Sequence, residues 1–101
     1  MTVQRTRMTP RTMGQVAERF RALGEPARLQ VLQALRRGER CVAELESDTG
    51  LNQANLSRHL QVLAATGMVR RRKEGLFVYY SLADADVLKL CELMCARISA
   101  A

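Results

Sequence analysis

The sequence predicts a mainly α-helical domain of about five helices with one two-stranded β-hairpin. Through most of the chain apolar residues recur every three or four positions, the period of a helix with one buried face. Between Met68 and Leu82 the period changes to about two, and Val, Phe and Tyr become common. The 101 residues allow one modest core but not a large catalytic cleft as well, so an elaborate enzyme is not expected.

Two helices are predicted in the N-terminal third. Residues 1–12 are polar and Arg-rich and contain Pro10, which indicates a mobile basic arm before a folded domain over residues 13–99. The first helix places apolar residues at helical spacing and closes at Gly24. The second starts at Pro26, which suits a first helical turn, and ends before Gly38. Their expected apolar positions are Val16, Phe20 and Leu23, then Leu29, Val31, Leu32 and Leu35.

A helix-turn-helix is predicted next. A short helix runs from about Val42 to Asp48 and stops at Gly50, and Asn52 suits the N-cap of a helix that continues to about Thr66. Leu56 is the side chain expected to pack the two helices together. The strand-like runs MVRRRK and LFVYYSL follow, joined at Glu74-Gly75, and a hairpin in this place is a wing.

The last predicted helix is more apolar than one buried face requires. Asp84 and Asp86 suit its N-terminus, and its apolar residues wrap more than one narrow stripe. They are Val87, Leu88, Leu90, Cys91, Leu93, Met94, Cys95 and Ile98. Such a helix needs its own core and a second subunit as partners, so a symmetric homodimer is expected.

Charge indicates a polyanionic partner. Lys and Arg outnumber Asp and Glu by 16 to 10, and segment 57–73 holds basic residues with no acidic one. A local excess of this kind is typical of DNA-binding domains, although a solvated surface would look the same. The N-terminus lacks the apolar run of a signal peptide, and no apolar stretch is long enough to span a membrane. A cytoplasmic protein with no membrane partner is expected.

The helix after Asn52 has two chemically different faces. Leu56, His59, Leu60 and Leu63 share the packed face, which gives His59 a hydrogen-bonded packing role rather than metal ligation. The outward side chains are of types that bind base edges, so they are predicted to read double-stranded operator DNA, the alternative being an ordinary exposed polar face. This predicted reading set is Gln53, Ala54, Asn55, Ser57 and Arg58.

The wing is predicted to contact mainly phosphates. Its DNA-binding candidates are Arg70, Arg72 and Lys73, with Tyr79 on the returning strand. Because side chains alternate along a strand, Arg70 and Arg72 share one side, and Arg71 and Lys73 share the other.

The stretches RFRALGEPARLQVLQAL, CVAEL, LSRHLQVL and GMVRRRKEGLFVYYSL resemble the ArsR/SmtB family of metal- and redox-responsive bacterial repressors. The resemblance implies a winged-helix homodimer, paired through its first and last helices, that binds a palindromic operator and releases it when an inducer binds. It also shows where the family's metal ligands are missing. Ala43 replaces the second Cys of the Cys-Val-Cys-Asp-Leu motif, and Asp84, Asp86, Arg97 and Ala100 retain only one ligand type of the zinc site in the last helix.

Three thiols remain as candidate metal or redox sensors. Cys91 and Cys95 lie four residues apart on one helical face, and Cys41 begins the short helix. They suit a thiolate-bound soft metal or metalloid ion such as cadmium or arsenite, or an oxidant or reactive sulfur species. A disulfide would link different helices or subunits, since the two thiols of one straight helix are badly oriented for it. The alternative is that both are small apolar residues in a dimer seam.

Repression by a protein that senses its inducer at these thiols is therefore the leading hypothesis. One alternative is a repressor with structural cysteines and another inducer; a second is a winged helix that binds proteins. A thiol oxidoreductase is not expected, because Cys91 and Cys95 lack the Cys-x-x-Cys spacing and the βαβ surroundings of such enzymes.

Overall fold

The computed structural model describes residues 7–100 and contains five α-helices and three strands. In chain order these are α1 (Pro10–Leu23), α2 (Pro26–Ala34), β1 (Arg40–Cys41), α3 (Val42–Thr49), α4 (Gln53–Ala65), β2 (Val69–Glu74), β3 (Phe77–Leu82) and α5 (Asp86–Ser99). A 3-10 turn, Leu35–Arg37, extends α2. The predicted five helices and hairpin wing are confirmed. None of the described helices is long and apolar enough to cross a membrane.

The first helix begins earlier than the sequence predicted. Pro10 occupies its first turn, and Thr9 and Thr12 form a reciprocal capping box around it. Residues 10–12 therefore belong to α1 and not to an arm, because a proline that interrupts a helix in its middle is favourable at its start. Residues 1–6 of the expected arm lie outside the described part of the chain.

The sheet has a third strand that the sequence did not predict. β1 pairs antiparallel with β3, with Arg40 opposite Tyr80 and Cys41 opposite Tyr79, so the strand order is β1-β3-β2. Two residues are too few to show a period-two pattern. The hairpin turn also shifts by one residue. Glu74 pairs with Phe77, which leaves Gly75 and Leu76 as the turn, and Gly75 has the positive φ of 60° that such turns require.

One core joins α2, α3, α4 and the base of the wing. Its fully buried side chains are Val31, Leu32, Leu35, Leu45, Leu56, Leu60, Leu63 and Met68. Leu29 was expected in this core but is 38% exposed. Val31 and Leu32, which were expected there as well, are buried on α2. The core thus fixes the helix-turn-helix and the strand ends next to it.

The two terminal helices keep apolar faces exposed. Val16 and Phe20 on α1, both expected to pack, are exposed. On α5 only the first turn reaches the core, through Val87 and Leu88. Beyond that turn the helix exposes Leu90, Leu93, Met94 and Ile98. Both helices therefore carry apolar surface that one chain leaves uncovered.

Candidate nucleic-acid interface and thiol positions

Helix α4 is held at its start and on its inner face. Gly50, with a φ of 72°, ends α3. The Asn52 side chain then accepts a hydrogen bond of 2.9 Å from the backbone N–H of Asn55, as an N-cap does. Leu56 is fully buried, as expected of a side chain that packs the two helices together. These contacts fix which side of α4 faces solvent.

The outward face of α4 is polar and carries one positive charge. Gln53, Ala54, Ser57 and Arg58 are exposed, and Asn55 is half-buried. The Arg58 guanidinium donates a hydrogen bond of 2.9 Å from Nη2 to Oδ1 of Asn55, one turn back. Within residues 7–100 Arg58 forms no ion pair. The hydrogen bond to Asn55 therefore orients the Arg58 guanidinium, and its positive charge is available to a ligand.

His59 lies on the opposite face and is only 9% exposed. Its Nδ1 is 3.4 Å from Nη1 of Arg28, whose Nε donates to the carbonyl oxygen of Ala22. Burial, and secondarily the charge of Arg28, lower the pKa of His59 and favour the neutral ring. The predicted packing role of His59 is confirmed. Arg28 was not singled out from the sequence, because its partners come from α1 and α4.

Most basic residues of the wing are free of carboxylates. Arg70, Arg71 and Lys73 are exposed, and none of them forms an ion pair in the described chain. Arg70 and Lys73 were predicted to bind DNA, and Arg71 is as accessible as they are. Together with α4 they give the domain an exposed surface suited to phosphates and base edges.

Arg72 differs from its neighbours because carboxylates hold it. Its Nε and Nη2 donate to the two oxygens of Glu39 at 3.0 and 2.7 Å, and its Nη1 donates to Glu74 at 2.7 Å. The guanidinium also lies 4.6 Å from the ring centroid of Tyr79. The hydrogen bonds to Glu39 and Glu74 raise the pKa of Arg72, and the one from Arg72 lowers the pKa of Glu39.

The three thiols occupy two places in the chain. Cys41, half-buried, precedes α3, and its backbone N–H donates to Oε1 of Glu44 at 3.0 Å. Cys91 is half-buried and Cys95 exposed on α5. In residues 7–100 no group of three or more His, Cys, Asp and Glu side chains could hold a metal ion. The thiols of a single described chain therefore do not form a metal site of three or more protein ligands.

The α5 thiols belong to a stripe that leaves the core. Val87, Cys91, Cys95 and Ile98 follow one another at helical spacing. Val87 is buried against the domain, whereas Ile98 at the other end is 70% exposed. The thiols thus lie where α5 separates from its own core.

Comparison with known proteins identifies relatives among transcriptional regulators. A family model described as "Bacterial regulatory protein, arsR family" matches residues 25–71. The transcriptional repressor SmtB homolog of Synechocystis is 41% identical over 76 residues, which is 75% of this chain and 58% of the relative. A probable mercury resistance operon repressor of Streptomyces lividans is 40% identical over 85 residues, covering 81% of this chain and 68% of the relative.

The solved structures agree with the fold. The homodimeric winged helix-turn-helix DNA-binding domain of Mb0332 from Mycobacterium bovis, a possible ArsR-family regulator, matches with a TM-score of 0.78 and 36% identity. The match covers 91% of this chain and 88% of that one. The descriptions of these relatives are of transcriptional repressors and of a DNA-binding domain, and none is of an enzyme.

Proposed function

This chain belongs to the bacterial ArsR family of regulatory proteins, and we propose that it is a dimeric transcriptional repressor that binds operator DNA through α4 and the wing. One observation carries the proposal. The outward face of α4 is exposed and carries Arg58, which is free of carboxylates in the described chain. The basic side chains of the wing that form no ion pair there are exposed as well.

In this proposal α4 reads bases and the wing binds phosphates. Arg58 suits the two acceptors of guanine, and Gln53 suits adenine. Ala54, Asn55 and Ser57 complete the reading face at the N-terminal part of α4, the part that meets base edges in helix-turn-helix proteins. Arg70 and Lys73, joined by Arg71, supply charge along the backbone.

The dimer is proposed to form through α1 and α5. On the described helices, all exposed large apolar residues except Leu29 lie on α1 and α5, among them Phe20, Leu93 and Ile98. Two-fold pairing of two subunits through these residues would cover α1 and α5 of each subunit. It would also present two copies of α4 to a palindromic operator. The homodimeric state of the Mb0332 domain supports this arrangement.

We further propose that the inducer acts on the thiols. Cys91 and Cys95 lie on the α5 stripe that the second subunit would cover, so chemistry there would change subunit packing and hence the spacing of the two α4 helices. An oxidant such as a peroxide would take two electrons and two protons from two thiols of different helices or subunits. A disulfide forms and the peroxide is reduced to two water molecules.

The alternative inducer is a soft metal ion or metalloid bound by thiolates. Since one described chain offers no group of three ligands, such an ion would need thiols from both subunits. The relationship to a probable mercury resistance operon repressor favours thiol sensing without choosing between oxidant and ion.

The test is a fluorescence titration at fixed salt with the duplex that the protein selects from a random pool. Arsenite, cadmium, a peroxide and a polysulfide are added separately to the unmodified protein and to the variants C41S, C91S/C95S and C41S/C91S/C95S, the last of which has no thiol. We expect one class of reagent to weaken DNA binding at least tenfold, and C91S/C95S to abolish that response. Selection of no duplex contradicts the DNA-binding proposal; release that persists without any thiol contradicts thiol sensing.

A further inference from the structure

We propose that Arg72 is a positioning residue that fixes the wing to the domain through Glu39, and that it does not bind DNA phosphate itself. The inference rests on the proposed DNA-binding function and revises the role that the sequence indicated for Arg72 and Tyr79. Its basis is the difference between Arg72 and the other three basic residues of β2.

Three of the five N–H donors of Arg72 are already used. Nε and Nη2 form a two-pronged contact with both oxygens of Glu39, the geometry in which a guanidinium binds a carboxylate best. Nη1 donates to Glu74 on the other side. Tyr79, directly opposite Arg72 in the sheet, supports the guanidinium from below. A phosphate would have to displace Glu39 to form a two-pronged contact with Nε and Nη2, and otherwise only the second N–H groups of Nη1 and Nη2 remain.

The local charge also disfavours a phosphate. Arg72 contributes one positive charge, whereas Glu39 and Glu74 contribute two negative charges within ion-pair distance. The group is therefore negative as a whole, and an approaching phosphate would be repelled by the two carboxylates. At Arg70, Arg71 and Lys73 no such carboxylate stands in the way in the described chain.

The ion pair of Arg72 and Glu39 holds β2, the strand of the wing that has less contact with the core. The core reaches the hairpin through Val69 on β2 and Tyr80 on β3, and Val78 and Leu82 of β3 also pack against it, whereas β2 is exposed from Arg70 onward. Glu39 precedes β1, which pairs with one edge of β3, while Arg72 lies in β2 on the other edge. The ion pair therefore links the two outer strands across β3. It ties the exposed part of β2 to the domain and so sets where Arg70 and Lys73 meet DNA.

The variant E39Q separates the two roles by the sign of its effect. If Arg72 positions the wing, losing Glu39 weakens binding of the selected duplex about two- to fivefold, the range expected for an exposed ion pair. If Arg72 binds phosphate, losing Glu39 frees it and tightens binding. The control E46Q removes a carboxylate that forms no ion pair in the described chain. It should tighten binding by less than about twofold through the general charge effect.

The variant R72K is a second test of whether Arg72 positions the wing or binds phosphate. Lysine keeps the charge and can bind a phosphate, but it cannot form the two-pronged contact with Glu39. We expect R72K to weaken DNA binding as much as E39Q does. Binding at the unmodified level would overturn the proposal.

A measurement without DNA completes the test. Amide hydrogen exchange across residues 70–78 of the free protein should be faster in E39Q and R72K than in the unmodified protein, and unchanged in E46Q. Equal rates in all four proteins would contradict a positioning role. If the unmodified protein selected no duplex, the proposed function would fail, and the exchange rates would still decide whether Arg72 holds the wing.

Discussion

Helix α4 and the wing both carry basic side chains that are proposed to bind DNA, but the two regions are held in place in different ways. The core fixes α4 through fully buried Leu56, Leu60 and Leu63, and Arg58 is oriented by Asn55 within the same helix. In the wing, β3 packs on the core but β2 is exposed beyond Val69, and Arg72 on β2 is held by Glu39, 33 residues away in sequence. Core packing therefore fixes the orientation of α4, whereas a surface ion pair fixes the position of β2 in the wing.

The largest effect should follow from removing the core support of α4. L56A deletes a fully buried side chain between α3 and α4, and we expect it to lower the free energy of unfolding by about 2–5 kcal/mol. The matched control is L76A at the wing tip, where the side chain is 98% exposed and the change should stay within about 0.5 kcal/mol. Urea denaturation measures both. Equal losses would contradict the contrast between the two regions.

The next effect concerns base reading. R58A should reduce the preference for the selected duplex over random DNA by about 1–3 kcal/mol, because Arg58 is the charged group on the outward face of α4. Q61A, an exposed change later on the same helix, serves as the control and should change the preference much less. Competition titrations measure the ratio of the affinities for the selected duplex and for random DNA. An unchanged ratio in R58A would remove Arg58 from the reading face.

A smaller, sequence-independent effect is expected from the wing. R70Q should weaken binding to selected and random duplexes alike and lower the slope of log affinity against log salt concentration by about one, as the loss of one phosphate contact does. Titrations at several salt concentrations measure the slope. Loss of affinity for the selected duplex alone would mean that Arg70 reads bases, and the division between helix and wing would fail.

The smallest effect should come from protonating His59 on the buried face of α4. Its pKa is lowered in the folded chain by burial and by Arg28, so the unfolded chain takes up a proton more readily. Stability should therefore be constant at neutral pH and fall as the pH drops below about 6.5, the usual pKa of histidine. Denaturation at a series of pH values tests this, with H59N as the control that lacks the titrating ring. A wild-type curve that matched H59N would contradict the role of burial.

The predictions that failed are as informative as those that were confirmed. Pro10 and the flanking threonines carried a local signal for the start of α1, but it was interpreted as part of an arm. Leu29 had the right period for the core, yet it is exposed, whereas Val31 and Leu32, predicted with it, are buried. Period alone shows that a helix has an apolar face, while the exact direction of that face depends on what packs against it.

The sequence by itself determined the features that depend on neighbours three or four residues apart. These include the cap at Asn52, the turn at Gly50 and the separation of Arg58 from His59 on α4. Only the tertiary structure decided the pairing of β1 with β3, the contact of Arg28 with His59 and the hold of Glu39 on Arg72. The physical reason is that such contacts join residues distant in the chain. Whether two of these side chains meet depends on how the whole core closes, and no local pattern records that outcome.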